Sequence, residues 1–210
     1  MIEVTCAIDD VEVDCDTWQP IDEREKFLEA IKERAYRKGN FTLSSGRESN
    51  HYVNLKPVTL TGDALLYISW CILECIETDT VAVAGLTLGA DPLVSGVSIA
   101  ATLDDRKVDA LIVRKEPKGH GTASQIEGPL PPLGTNVVVL EDVTTSGESA
   151  MKAVNVLRSQ GCNVSKVVTI VDRQEGAKEL MKAQGIQLES LVTLEAVSYT
   201  HLTLPTICSV

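Results

Sequence analysis

Val137-Val138-Val139-Leu140-Glu141-Asp142-Val143-Thr144-Thr145-Ser146-Gly147-Glu148-Ser149 is the stretch on which the fold turns. Four aliphatic residues in a row suit a strand buried on both faces, the pattern of a parallel sheet covered by helices. Two adjacent acids close the run, and a polar turn leads into a helix expected over 146–160. In open α/β sheets ligands bind at the C-terminal edge of the strands, which is where these acids and this turn stand. Residues 145–149 offer backbone N–H groups, hydroxyls and a helix N-terminus, which together favour an anion. Gly147 allows close backbone approach. A triphosphate-binding loop would need a Lys beside its Ser or Thr; none is present, and a single phosphate fits better. Glu141 and Asp142 are placed to accept hydrogen bonds from a vicinal diol. Phosphate plus diol on one sugar describes ribose 5-phosphate. The plainer reading, in which the two acids only cap the following turn, is weakened by the attached Thr145-Ser146-Gly147.

Outward from this stretch, strands and helices alternate. Phe27, Leu28, Ile31 and Ala35 recur at helical spacing over 20–38, and Gly39-Asn40 supplies a stop. Short strands are predicted at 41–43 and 52–55, around a Ser44-Ser45-Gly46 turn. Helices are predicted over 63–77, 92–103 and 176–183, and strands over 81–84, 110–113, 136–140 and 167–171. Such alternation with short aliphatic strands predicts an α/β fold, a mostly parallel sheet flanked by helices. The chain's 210 residues suit one such domain, placed at 20–196 after an irregular extension at 1–19. Residues 115–135 hold four glycines and four prolines without a period, which predicts a mobile lid. Residues 197–210 fit nothing before them and resemble translated adaptor read-through, so His201 and Cys208 are left out of functional reasoning.

A net charge of −11 disfavours nucleic acid and anionic membranes as partners. No apolar run approaches the roughly 18–20 residues of a spanning helix. Met1-Ile2-Glu3-Val4 lacks the basic start of a signal peptide, so a cytoplasmic protein is expected. Cys6, Cys15, Cys71, Cys75, Cys162 and Cys208 form no CxxC pair and have no His at ligand spacing. They are expected to be reduced and structural, with no metal site of their own.

Against this acidic background Arg114-Lys115-Glu116-Pro117-Lys118-Gly119-His120-Gly121 stands out. Arg114, Lys115, Lys118 and His120 gather positive or ionisable groups at the start of the expected lid. A leaving pyrophosphate needs such groups, because charge grows on its oxygen as the bond to it breaks. Flanking glycines would let the loop close, exclude water and reopen. A solvated surface turn is the plainer account, although His120 between two glycines is poorly placed for packing.

Glu141-Asp142-Val143-Thr144-Thr145-Ser146-Gly147 resembles the signature of the type I phosphoribosyltransferases, and the Arg114–Gly121 segment resembles the catalytic loop of the orotate-using branch. Gln125-Ile126-Glu127-Gly128 matches one branch of that group as well. The resemblance, running from about residue 27 to 194, implies the type I fold with an N-terminal hood and a flexible catalytic loop. It implies transfer from phosphoribosyl pyrophosphate (PRPP) to orotate through an oxocarbenium-like transition state. By the same resemblance Arg114, Lys115, Lys118 and His120 are catalytic and bind PRPP. Glu141 and Asp142 hold the ribose hydroxyls, and the segment Val143, Thr144, Thr145, Ser146, Gly147, Glu148 and Ser149 completes the PRPP site around the 5′-phosphate. Tyr52 and Val53 of the hood, with Thr145 and Arg173, contact orotate, whose carboxylate a guanidinium can pair. Arg173 as a surface ion-pair partner is the plainer alternative.

The resemblance further implies Mg²⁺ arriving with PRPP, without a dedicated protein cage and with Asp142 reaching it through water. It also implies a homodimer in which each loop enters the neighbouring site. Gly85-Leu86-Thr87-Leu88-Gly89-Ala90-Asp91 stands where the family places its pyrophosphate turn. Some relatives carry Lys at the positions of Ser44 and Gly89, so this turn is expected to contribute backbone groups only. A purine phosphoribosyltransferase would share the PRPP motif without needing Arg173. A non-catalytic PRPP-sensing regulator would need a nucleic-acid surface that this acidic chain lacks.

Overall fold

The structure is a computed structural model describing residues 26–42, 46, 48–117 and 125–199. Six strands form the central sheet in the order β5-β4-β3-β6-β7-β8. They are β3 (Thr80–Leu86), β4 (Asp109–Val113), β5 (Ile126–Glu127), β6 (Asn136–Thr144), β7 (Lys166–Asp172) and β8 (Gln187–Thr193). All neighbours are parallel except the β4–β5 pair. A separate antiparallel pair, β1 (Tyr36–Thr42) and β2 (Glu48–Val53), forms the hood.

Side chains alternate across a strand, and β6 shows how the alternation builds two cores. Val138 and Leu140 pack with the helices on one face, while Val137 and Val139 pack with α5 (Glu148–Ser159) and Met181 of α6 (Ala177–Ala183) on the other. The first face is covered by α1 (helical from residue 26 and ending in a π turn at Ile31–Ala35), α2 (Lys56–Thr59), α3 (Gly62–Cys75) and α4 (Asp91–Leu103). Burial on both sides explains why β6 reads as an unbroken aliphatic run.

Several expectations are corrected. The first helix ends at Ala35, not Lys38, because Tyr36, Arg37 and Lys38 pair with Val53, Tyr52 and His51 of β2. Gly39-Asn40 is no helix stop; it falls where the ladder slips between Lys38 and Phe41. β2 covers Glu48–Val53 and not 52–55, and β6 runs on through both acids to Thr144. Strand β8 and helices α2 and α7 (Leu194–Ser198) were not expected. Val197 is 2% exposed in the first core, so packed structure extends beyond residue 196. The stretch 115–135 is not one loop. β5 pairs with β4, Arg114 N donates to Gln125 O at 2.8 Å, and Ile126 is buried. The 1–19 extension and residues 200–210 of the tail lie outside the described residues.

Candidate active site

The C-terminal ends of β6 and β7 and the end of β2 border a cleft of about 690 Å³. Residues 141–149, Arg173, Tyr52 and Val53 all line it. Glu141 is 7% exposed, and its Oε2 is buried without a hydrogen-bond partner among the described residues. Burial pushes its carboxyl up to about 8; the neighbouring Asp142 adds to the rise and Lys115 opposes it. At neutral pH Glu141 therefore keeps its proton and can donate as well as accept.

Asp142 Oδ1 accepts from Val143 N at 2.9 Å. Its carboxylate rests against Gly89 in the turn between β3 and α4: a Cβ there would lie 2.6 Å from Oδ1 and 2.8 Å from Oδ2. Gly147 is the N-cap of α5 with φ 84°, a conformation that favours glycine. A Cβ there would meet Ala177 and Met181 of α6 at 3.2 Å. The polar turn is thus pressed onto the second core, with the first N–H groups of α5 left without intrahelical partners.

On the other side of the cleft, Arg173 follows β7 and is 5% exposed. It donates from Nε to Glu175 Oε1 at 2.9 Å, from Nη1 to His51 O at 3.3 Å, and from Nη2 to Ser49 Oγ at 3.0 Å. It is an ion-pair partner, yet a buried one that reaches the hood. Tyr52, half-exposed, sets its ring 5.3 Å from that of Phe41.

The basic segment is only partly in view. Arg114 forms an ion pair with Glu127 at 3.4 Å and is not among the cleft-lining residues. Lys115 is exposed, and its charge is felt at Glu141. Lys118 and His120 lie outside the described residues. Two further cations, Lys56 and Lys152, line the cleft. Lys152 stands one helical turn after Glu148 and Ser149, so periodicity could have found it. Lys56 carried no such signal, nor did Ser49, His51 and Glu175 around Arg173.

The family model described as the phosphoribosyl transferase domain matches residues 66–196. An orotate phosphoribosyltransferase of Nostoc sp. is 49% identical over 171 residues, 81% of this chain and 83% of that protein. One from Methanocaldococcus jannaschii is 41% identical over 182 residues, 86% of this chain and 100% of its own length. The crystal structure of the Mycobacterium tuberculosis orotate phosphoribosyltransferase in complex with PRPP is similar at a TM-score of 0.70 and 35% identity, covering 84% of this chain and 99% of that one. An adenine phosphoribosyltransferase from Leishmania tarentolae, at 13% identity and a TM-score of 0.56, shares the fold alone. An acid pair and a phosphate-type helix start, on this fold and in a chain so similar over most of its length to those relatives, identify this protein as a member of the orotate phosphoribosyltransferases.

Proposed function

We propose that the protein transfers ribose 5-phosphate from PRPP to N1 of orotate, giving orotidine 5′-monophosphate and pyrophosphate for UMP synthesis. The observation that carries this reading is the convergence of an acid pair, a phosphate-type helix start and a buried guanidinium on one cleft. The N1–C1 bond forms as the C1–O bond to pyrophosphate breaks; the electron pair leaves with the pyrophosphate, and the proton of orotate N1 passes to solvent. The protein contributes position and charge, with no covalent nucleophile.

In this reading Glu141 and Asp142 grip the two ribose hydroxyls, and the protonated Glu141 offers a donor where Asp142 offers acceptors. Residues 145–149 take the 5′-phosphate. Arg173, Thr145, Tyr52 and Val53 hold orotate. Arg114, Lys115, Lys118 and His120 meet the pyrophosphate, the loop carrying them being shared across a homodimer. Mg²⁺ takes oxygen ligands, and the carboxyl oxygens of Asp142 with the hydroxyl oxygens of Thr144, Thr145 and Ser146, all lining the cleft, suit such a cation. It would be held chiefly by PRPP, with Asp142 reached through water, and when bound it neutralises diphosphate charge. Among the described residues no helix is long and apolar enough to cross a membrane, and we place the enzyme in the cytoplasm.

The test mixes purified protein with PRPP, Mg²⁺ and orotate and follows the ultraviolet absorbance of orotate, with hypoxanthine and adenine in parallel. Loss of orotate that requires both PRPP and Mg²⁺ is expected. Conversion of a purine instead would overturn the choice of base and return Arg173 to a structural role. Binding of PRPP without turnover of any base would favour the regulator.

A further inference from the structure

Arg173 has a cradle of its own. A guanidinium carries five N–H donors, and three of them are engaged by Glu175 Oε1, His51 O and Ser49 Oγ. Among the described residues these three bonds leave one N–H on Nη1 and one on Nη2. His51 O and Ser49 Oγ lie 3.0 Å apart and so take the parallel pair at the terminal edge, and the two that remain point away from each other. The partners approach from two separate parts of the chain. Ser49 and His51 belong to β2 in the hood, with Ser49 Oγ donating to His51 O at 3.0 Å and accepting from His51 N at 3.2 Å. Glu175 comes from the turn after β7. That turn is set by two local devices: Asp172 Oδ1 accepts from Gln174 N at 2.8 Å, and Gln174 adopts a left-handed φ of 59°. The chain is thereby folded back so that Glu175 meets the Nε edge of the residue two before it. Arg173 N is itself fixed to Thr144 O at 2.9 Å, beside the polar turn of the cleft.

A planar fork recognises a carboxylate through the direction of its N–H bonds as well as through its charge. With the Nε edge and one N–H on each terminal nitrogen held by protein, the guanidinium plane cannot rotate freely about its stem. We propose that Ser49 and Glu175 are positioning residues that fix the guanidinium plane of Arg173, so that its charge and one remaining N–H bond are held toward the cleft, and so set the preference for a pyrimidine bearing a carboxylate. The inference rests on the reading of Arg173 as the orotate partner. Neither residue touches the base itself. Ser49 fixes the fork from the hood side and Glu175 fixes it from the sheet side, so the aim depends on both.

The experiment compares wild type with Ser49→Ala, Ser49→Thr and Glu175→Gln. KM and kcat are measured for orotate, KM for PRPP, and Ki for uracil, which has the same ring without the carboxylate. Ser49→Ala and Glu175→Gln are expected to raise the orotate KM about tenfold, the scale of one charge-assisted hydrogen bond. Both should leave kcat and the PRPP KM within about twofold, as for a loss confined to ground-state binding of one substrate. Uracil Ki should stay at the wild-type value, and Ser49→Thr, which keeps the hydroxyl, should restore the orotate KM. An unchanged orotate KM in both variants would overturn the proposal, as would parallel weakening of uracil and PRPP, which marks a hood that is merely loosened. An effect in one variant alone would overturn the role of the other residue. Wild-type protein that fails to convert orotate would instead sink the reading on which the proposal rests.

Discussion

Glu141 couples the cleft to pH through folding. Its carboxyl is held near 8 in the folded chain against an ordinary value of 4.5. Between those two values the folded state keeps a proton that the unfolded chain has released. Stability therefore falls as pH rises through that window, and the loss is complete once pH passes about 8. Glu141→Gln removes the slope. The variant should match wild type near pH 5 and be the more stable of the two above pH 8, read by urea denaturation at about those two pH values. An unchanged slope would mean that Glu141 is already ionised in the folded protein. At Gly89 the expected effect is steric. Gly89→Ala puts a methyl group 2.6 Å from Asp142 Oδ1 and should raise the PRPP KM about tenfold while orotate binding is spared. The acid pair was legible in the sequence because both residues end one aliphatic run. Gly89 against Asp142 was not, nor was Ser49 against Arg173, since each joins segments far apart in the chain and leaves no local pattern.

At the scale of elements, legibility followed burial. β3, β6 and β7 lie inside the sheet and read as aliphatic runs. β8, at the edge, is exposed or half-buried along its first half and was missed. The first three residues of β1, Tyr36 to Lys38, read as the end of the helix because they follow α1 without a break and owe their strand identity to pairing with β2, while Phe41 and Thr42 fall in the predicted strand. The β4–β5 pairing bears on catalysis. It brings Arg114 and Gln125 together just beyond the two strands, with Arg114 N donating to Gln125 O, and Lys118 and His120 fall between them in the sequence. A cation presented by such a segment acts mainly where charge develops. Lys118→Ala is expected to lower kcat about a hundredfold or more while PRPP affinity changes far less, measured by pairing turnover with equilibrium binding. Equal losses in both would make Lys118 a simple binding residue.

At the scale of the whole molecule, contacts between layers tie the helices to the far strands of the sheet. Lys166, almost fully buried at the start of β7, meets Glu77 at 2.8 Å, Glu189 at 3.2 Å and Cys75 O at 2.6 Å, joining the end of α3 to β7 and β8. α7 packs on β8 and reaches α1. Val197, 2% exposed in that last helix, is part of the core it closes. Val197→Asp should destabilise the fold by about 3 kcal/mol through an unpaired buried charge, visible as a lower denaturation midpoint. A change within about 0.5 kcal/mol would mark α7 as peripheral. The sequence pointed away from this helix because its final residues run directly into a tail with no period of its own.

The hood pairs its strands with each other and, among the described residues, with no strand of the main sheet. Lifting it would break no rung of the central ladder, and what it would break is the packing of Tyr36 and Val53 against the first core. Arg173 bridges the seam through His51 and Ser49. A ligand held by its remaining N–H bonds would sit under that seam, and if the roof must part for it to leave, its departure would be tied to these bonds.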